Sequence, residues 1–106
     1  MEIFDLMDFE AQRHENRSVN VFFQNDLFKT RVIDIEAGGE IPVCRMDSYV
    51  IFYVIAGEVL LRKNDETSNL KENQVFISEP ALLSMKSEAG ARLMGIQINR
   101  RNNEVK

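Results

Sequence analysis

Short runs of alternating apolar and polar residues make up most of this chain. Residues 28–36 show the pattern, with Thr30, Val32 and Asp34 on one face and Arg31, Ile33 and Ile35 on the other. A period of two residues is typical of β-strands, and no long segment has the 3.6-residue period of a helix. The same reasoning predicts further strands near residues 19–23, 49–55, 59–62, 74–77, 82–86 and 92–98.

Glycine and asparagine separate these runs where the chain has to turn. Gly38 and Gly39 end the 28–36 strand, since glycine adopts a positive φ at no steric cost. Gly57 predicts a turn between two core strands, and Asn64 closes the second of them, after which a polar connection leads to Gln74. Seven or eight short strands with turns between them predict an all-β sandwich or barrel.

The run at residues 49–55 is apolar on both faces, which requires cover on both sides. Its two faces consist of Val50, Phe52 and Val54 on one side and Ile51, Tyr53 and Ile55 on the other. In a small barrel one face meets the interior, so the other needs a second layer or a partner subunit. We therefore predict a homodimer.

Length and charge restrict the domain organisation and the partners. The 106 residues suffice for one domain, divided into an N-terminal extension (1–17), a barrel (18–98) and a polar tail (99–106). The extension is consistent with a short helical turn or with an edge strand. The formal net charge is −4 and basic residues are scattered, which argues against nucleic-acid binding. Arg100 and Arg101 are interpreted as part of a solvated tail.

Targeting features are absent from the sequence. No stretch approaches the roughly 18–20 apolar residues that a membrane span requires, so no membrane association is expected. The acidic start of the chain lacks the layout of a secretory signal. The single cysteine, Cys44, cannot form an internal disulfide, and together these features predict a cytoplasmic protein.

The spacing of glycines and apolar runs over roughly residues 28–98 resembles the cupin superfamily. The segment YVIAGEV at 53–59 is similar to the cupin segment that crosses a glycine turn between two core strands. The first cupin motif fits from Gly38 to Gly57. The frame of the second falls on Glu72, Ser78, Pro80, Leu83 and Ser87, and the run that ends at Pro80 resembles the family's loop, strand and proline turn. The resemblance implies a double-stranded β-helix, the jelly-roll barrel of that family.

The residues at the cupin metal-ligand positions depart from the family pattern. Where cupins carry three histidines and a glutamate, this chain has Cys44, Met46, Val50 and Leu83. Valine and leucine have no lone pair to donate, and metals that activate water or oxygen need imidazole or carboxylate ligands. A partial register from Gly39 would instead place Arg45 and Asp47 at two histidine positions. We predict no metal and no cofactor.

The resemblance also bears on catalysis. Metal-free cupin epimerases use an interior histidine with a tyrosine, whereas the only histidine here, His14, lies upstream of the predicted barrel and is interpreted as a surface residue. No catalytic residue is predicted, and a role other than catalysis is favoured over an enzyme. An enzyme with an atypical site around Cys44, Asp47 or Tyr53 remains an alternative.

The apolar residues at the former metal positions have two interpretations. They either fill the barrel as core or line a cavity for a small apolar ligand, to whose shape methionines adapt. The candidate ligand-binding residues are Cys44, Met46, Val50, Leu83 and Met85. The favoured function is a metal-free small-molecule-binding or sensing domain, and the alternative is a structural or protein-interaction domain built as a dimeric barrel.

Overall fold

The computed structural model describes residues 1–10 and 20–99 of the chain. It contains eight β-strands, and this part of the chain has no α-helix, which confirms the all-β prediction. No helix in these ranges is long and apolar enough to cross a membrane. The strands are β1 (Val21–Gln24), β2 (Phe28–Ile35), β3 (Glu40–Met46), β4 (Val50–Lys63), β5 (Glu66–Lys71), β6 (Val75–Ser78), β7 (Ala81–Lys86) and β8 (Ala91–Ile98).

All strand pairs are antiparallel, and together they form one curled sheet, a half-barrel. The order is β1-β2-β8-β4-β7-β3, with β5 and β6 also paired to β4. The first part of β4 pairs with β6 and β8, and its second part pairs with β5 and β7. Because β4 belongs to both parts of the sheet, it holds the two halves of the structure together.

The predicted turn at Gly57 is wrong, because β4 continues through this residue without reversing. The strand bends there, and its register with β8 shifts between Val54 and Ala56. Gly57 has a φ of +87°, which L-residues with side chains rarely adopt. A turn and a bend both use glycine at positive φ, and only the strand pairing distinguishes them.

The predicted polar connection before Gln74 is also wrong in part, because it contains β5. This strand lies at a sheet edge, and Leu70 is its one buried residue. Its other side chains are exposed and polar, so the apolar alternation that reveals a half-buried strand is missing. The reversal predicted at Asn64 is confirmed, and this residue has a φ of 52°.

The N-terminal segment, residues 1–10, lies against β1 and β8 without forming a helix or a strand. The ring of Phe4 packs 4.9 Å from that of Phe22 in β1, and Arg92 of β8 donates a hydrogen bond to the carbonyl of Leu6. Neither predicted form of the extension is therefore found in these residues. The interpretations of His14, Val19 and the Arg100-Arg101 pair fall outside the described residues.

The inner faces of the sheet meet in one apolar core. Val54 of β4 and Leu93 of β8 are fully buried cross-strand neighbours at its centre. The buried cluster also includes Ile33, Ile35, Val50, Phe52, Val59, Leu61, Leu70, Ala81, Leu83 and Met85. The core contains Val50, Phe52 and Val54, one of the two apolar faces predicted for residues 49–55, and it ends at a cavity.

Candidate functional site

A cavity of about 520 Å³ lies between the two halves of the curled sheet. Its walls come from β1, β2 and β8 on one side and from β3 and β7 on the other, with the start of β4 between them. Small-molecule sites typically measure about 300–1,000 Å³ and have mostly apolar walls. The size of this cavity is therefore suited to a small molecule.

All five residues predicted from the sequence to bind a ligand line this cavity. Val50, Leu83 and Met85 are buried and belong to the core cluster, so they form its floor. Cys44 and Met46 are partly exposed on the adjacent edge strand β3. The sequence left open whether these residues fill a core or line a cavity. In the structure, the buried residues belong to the core and also border the cavity beside it.

A β-bulge in β3 determines which of its side chains reach the cavity. Ile41 pairs with Met85 and Cys44 pairs with Leu83, so three steps along β3 match two steps along β7. The extra residue places Ile41 and Cys44 on the same face, and Val43 points outward with 65% of its surface exposed. Strict alternation from Ile41 would have placed Val43 inside, and sequence reasoning missed Ile41 as a lining residue.

The inner face of β2, β8 and β4 changes from polar to apolar along the cavity wall. Each row consists of residues that pair directly across the strands. The first row, which we call the polar row, is Gln24–Lys29–Gln97–Val50. The second row is Arg31–Gly95–Phe52–Phe76. The third row is wholly apolar and consists of Ile33–Leu93–Val54. Sequence reasoning missed the polar row, although the alternation of β2 places Lys29 on the same face as Ile33.

The charged residues at the cavity are mainly basic, in a chain whose net charge is negative. Lys29, Arg31 and Arg45 line it, and among the described lining residues the acidic one is Asp47. Asp47 forms an exposed ion pair with Arg45, with 3.4 Å between Oδ1 and Nε. Lys29 has no ion pair among the described residues, so its ammonium is available to a ligand in the cavity.

The three residues considered for an atypical enzyme site are not brought together. Cys44 and Asp47 line the cavity, but Tyr53 does not, since it follows Phe52 on β4 and points to the opposite side. The Tyr53 hydroxyl donates a hydrogen bond to Asn73 Oδ1 at 2.6 Å. The Cys44 Sγ makes only a 3.8 Å contact with the carbonyl of Arg45. Among the described residues, no carboxylate or imidazole accepts a hydrogen bond from this thiol.

Comparison with solved structures identifies the architecture. A Thermus thermophilus protein superposes with a TM-score of 0.82 at 22% identity, covering 95% of this chain and 100% of that one. A Klebsiella pneumoniae protein with a double-stranded β-helix domain gives 0.80 at 16% identity, covering 92% and 90%. The cupin domain of Schizosaccharomyces pombe Cnp3 gives 0.68 at 24% identity, covering 76% and 61%.

The chain has the cupin fold. This confirms the double-stranded β-helix implied by the resemblance of its sequence. No protein-family model matches the sequence, and no curated protein sequence matches it. The likeness therefore extends to the fold, and the function has to be argued from the cavity itself.

The cavity's chemistry does not fit the metal centre that typical cupins hold. The positions that the sequence resemblance matches to their ligands, Cys44, Met46, Val50 and Leu83, line the cavity together, and Cys44 pairs with Leu83 across β3 and β7. Two of these four side chains are hydrocarbons, and a thiol with a thioether is a soft pair suited at most to a cuprous ion. Within residues 1–10 and 20–99, no three His, Cys, Asp or Glu side chains are grouped to hold a metal ion.

Proposed function

We propose that this cupin-fold chain binds a small apolar molecule in the cavity and acts as a metal-free binding or sensing domain. The observation that carries the proposal is the cavity of about 520 Å³ whose floor is made of Val50, Leu83 and Met85. Met46 and Met85 supply flexible, polarisable walls, which adapt to ligand shape. An apolar floor of this kind favours ligand binding over acid–base or metal chemistry.

The expected affinity follows from the surface that a ligand would bury. Apolar area removed from water contributes about 25 cal/mol per Å², so about 250 Å² contributes roughly 6 kcal/mol. Loss of translational and rotational freedom opposes binding. A ligand that uses the apolar floor alone is thus expected to have a Kd no tighter than the micromolar range.

Filling the cavity tests this proposal directly. The neutral fluorescent probe N-phenyl-naphthylamine is titrated into the wild-type protein and into Cys44→Phe, whose ring would occupy the space beside Leu83. We expect the variant to weaken probe binding at least about tenfold, which corresponds to about 1.4 kcal/mol. Val43→Phe is the matched control, because it adds the same ring one residue away on the outer side of the β-bulge.

The two variants give opposite expectations from adjacent positions. Equal probe binding by Cys44→Phe, Val43→Phe and wild type, all with the same folded spectrum, would rule out the cavity as the binding site. Native mass spectrometry of the freshly purified protein complements the titration, because a retained small molecule would appear as added mass. That mass should be lost in Cys44→Phe and kept in Val43→Phe.

We also propose that the chain forms a homodimer through the outer face of β6, β4 and β8. Ile77 and Val75 on β6 are 62% and 51% exposed, and they lie beside Ile51 and Tyr53 of β4. We call this surface the outer patch; it consists of Ile51, Tyr53, Ile55, Val75, Ile77, Met94, Ile96 and Ile98.

The composition of the outer patch favours a second copy of the chain as its partner. A twofold interface places the same residues opposite each other, so any charged residue near its axis would meet a like charge. None of the eight residues of the outer patch is charged. Pairing of two copies would therefore bury apolar surface without electrostatic repulsion.

A further inference from the structure

Three side chains with N–H donors stand in one row at the more exposed end of the cavity. Lys29 of β2 lies directly opposite Gln24 of β1 on one side and Gln97 of β8 on the other. Directly opposed residues in antiparallel strands have Cα atoms about 4.5–5.5 Å apart, so the three side chains can reach one common group. We call Gln24, Lys29 and Gln97 the donor row.

The donor row has hydrogen-bonding capacity that the described protein does not use. In the described part of the chain, none of its three side chains makes a hydrogen bond or an ion pair. A lysine ammonium has donors and no acceptor, and the two glutamine amides each add an NH₂ group. Such a row is complementary to an acceptor with negative charge.

The next inward-facing residue along β2 is also basic. Arg31 follows Lys29 on the same face of β2, about 7 Å further along the cavity wall. The acidic Asp47 is already paired with Arg45. Phe52 lies in the same row as Arg31 on the β4 side of the cavity, and Ile33 lies in the next row along β2, so a ligand near Lys29 also meets apolar side chains.

We infer that the ligand is amphipathic, with one anionic head group held by the donor row and an apolar body on the cavity floor. This inference rests on the proposed function and specifies the chemical class of its ligand. Carboxylates and phosphate monoesters share the required head chemistry, since both accept several charge-assisted hydrogen bonds. The head lies near Lys29, and the body extends past Phe52 towards Leu83 and Met85.

A series of ligands with one common chain separates the two ends of the site. Octanoate, octyl phosphate, 1-octanol and octylammonium present the same hydrocarbon to the floor and differ in the charge of the head. Isothermal titration calorimetry with the full chain is expected to show octanoate or octyl phosphate binding about tenfold more tightly than 1-octanol, since hydrogen bonds to a charged group add about that much. Octylammonium should bind most weakly. The tighter of the two anions identifies the head group.

Lys29→Gln tests the donor row itself. We expect this variant to weaken octanoate binding about tenfold and to leave 1-octanol binding within about twofold of wild type. Lys71→Gln is the matched control, since it removes an equal charge from an exposed position on β5 outside the cavity and should change neither affinity. Added salt should weaken the binding of the anions and not of 1-octanol.

The outcomes distinguish this inference from the proposed function. Binding of 1-octanol that is as tight as that of both anions, or unaltered octanoate binding by Lys29→Gln, would overturn the anionic head and leave the apolar site standing. Failure of all four molecules to bind a folded wild-type protein would overturn both. Circular dichroism of Lys29→Gln and of Lys29→Met, which keeps an apolar stem, verifies that the fold is intact.

Discussion

Gly57 sits at a point of β4 where the backbone of a neighbouring segment leaves no space for a side chain. A Cβ at this position would lie 2.3 Å from the carbonyl oxygen of Gly90 and 2.8 Å from Cα of Ala91. Both atoms belong to the backbone and cannot rotate away. The φ of +87° adds a second reason for glycine, because L-residues are strained there.

Gly57→Ala is expected to destabilise the protein by about 3–5 kcal/mol, since backbone strain and overpacking each cost about 1–3 kcal/mol. Gly38→Ala is the matched control, because Gly38 also has a positive φ, of 78°, but its Cβ would meet nothing within 4 Å. We expect the control to lose about 1–2 kcal/mol. Urea unfolding measures both, and equal losses would show that the contact with Gly90 is relieved.

At the scale of elements, Arg92 connects the N-terminal segment to the sheet. It lies directly opposite Asp34 in the β2–β8 pairing, and its Nε and Nη2 contact the two carboxylate oxygens at 2.7 and 2.8 Å. Its Nη1 donates to the carbonyls of Leu6 and Met7. The hydrogen bonds that Arg92 donates to Asp34 raise the pKa of Arg92 above its ordinary value, so the guanidinium stays charged.

Arg92→Met should therefore release residues 1–10 from the sheet and lower the free energy of unfolding by about 1–3 kcal/mol, because the Asp34 carboxylate loses its partner. Arg45→Met is the control: its ion pair is exposed, and such pairs contribute about 0–1 kcal/mol. Hydrogen exchange at residues 1–10 and urea unfolding report the two effects. Unchanged protection of the segment in Arg92→Met would contradict this role.

At the scale of the whole molecule, the curled sheet carries apolar residues on two surfaces. The inner surface forms the core and the cavity. On the outer patch, Val75, Ile77 and Ile98 are exposed, and the other five residues are half-buried. Stable interfaces bury about 800 Å² on each partner. The proposed ligand and the proposed second copy would therefore occupy different sites.

Ile77→Glu tests the homodimer, because it places a charge in the outer patch where two copies would meet. Analytical ultracentrifugation is expected to show a wild-type dimer and a monomeric variant. Leu82→Glu is the control, since Leu82 is 42% exposed on β7, outside the patch, and should leave the dimer unchanged. A monomeric wild-type protein at micromolar concentration, or a dimer in the Ile77→Glu sample, would refute the interface.

An element could be predicted where its own residues carry the signal, and it was missed where pairing with a distant strand defines it. The first part of β4 was predicted because residues 50–55 form a short apolar run that is rich in β-branched and aromatic residues, which favours a strand buried on both faces. β5 was missed because pairing to β4, and not burial, holds its polar residues in a strand. The bend at Gly57 was predicted to be a turn because a glycine indicates a positive φ in either case. Only the pairing of β4 with distant strands shows that the chain does not reverse there.

The candidate site divides in the same way. Cys44, Met46, Val50, Leu83 and Met85 were identified because the glycine spacing of the sequence resembles that of cupins, and the structure places all five on one cavity. Their binding of a ligand stays a prediction. Gln24, Lys29 and Gln97 were missed because they lie on three different strands. The register that aligns them cannot be predicted from the sequence of any one strand.

The sequence by itself determined the strand class, the two-sided apolar character of residues 49–55 and the absence of histidine and glutamate from the positions matched to the cupin ligands, since alternation and side-chain chemistry are properties of single residues and short runs. The tertiary structure decided the bulge in β3 that turns Cys44 inward, the continuity of β4 through Gly57 and the row formed by Gln24, Lys29 and Gln97. These features depend on register between strands, and register is set by the packing of both sheet faces at once.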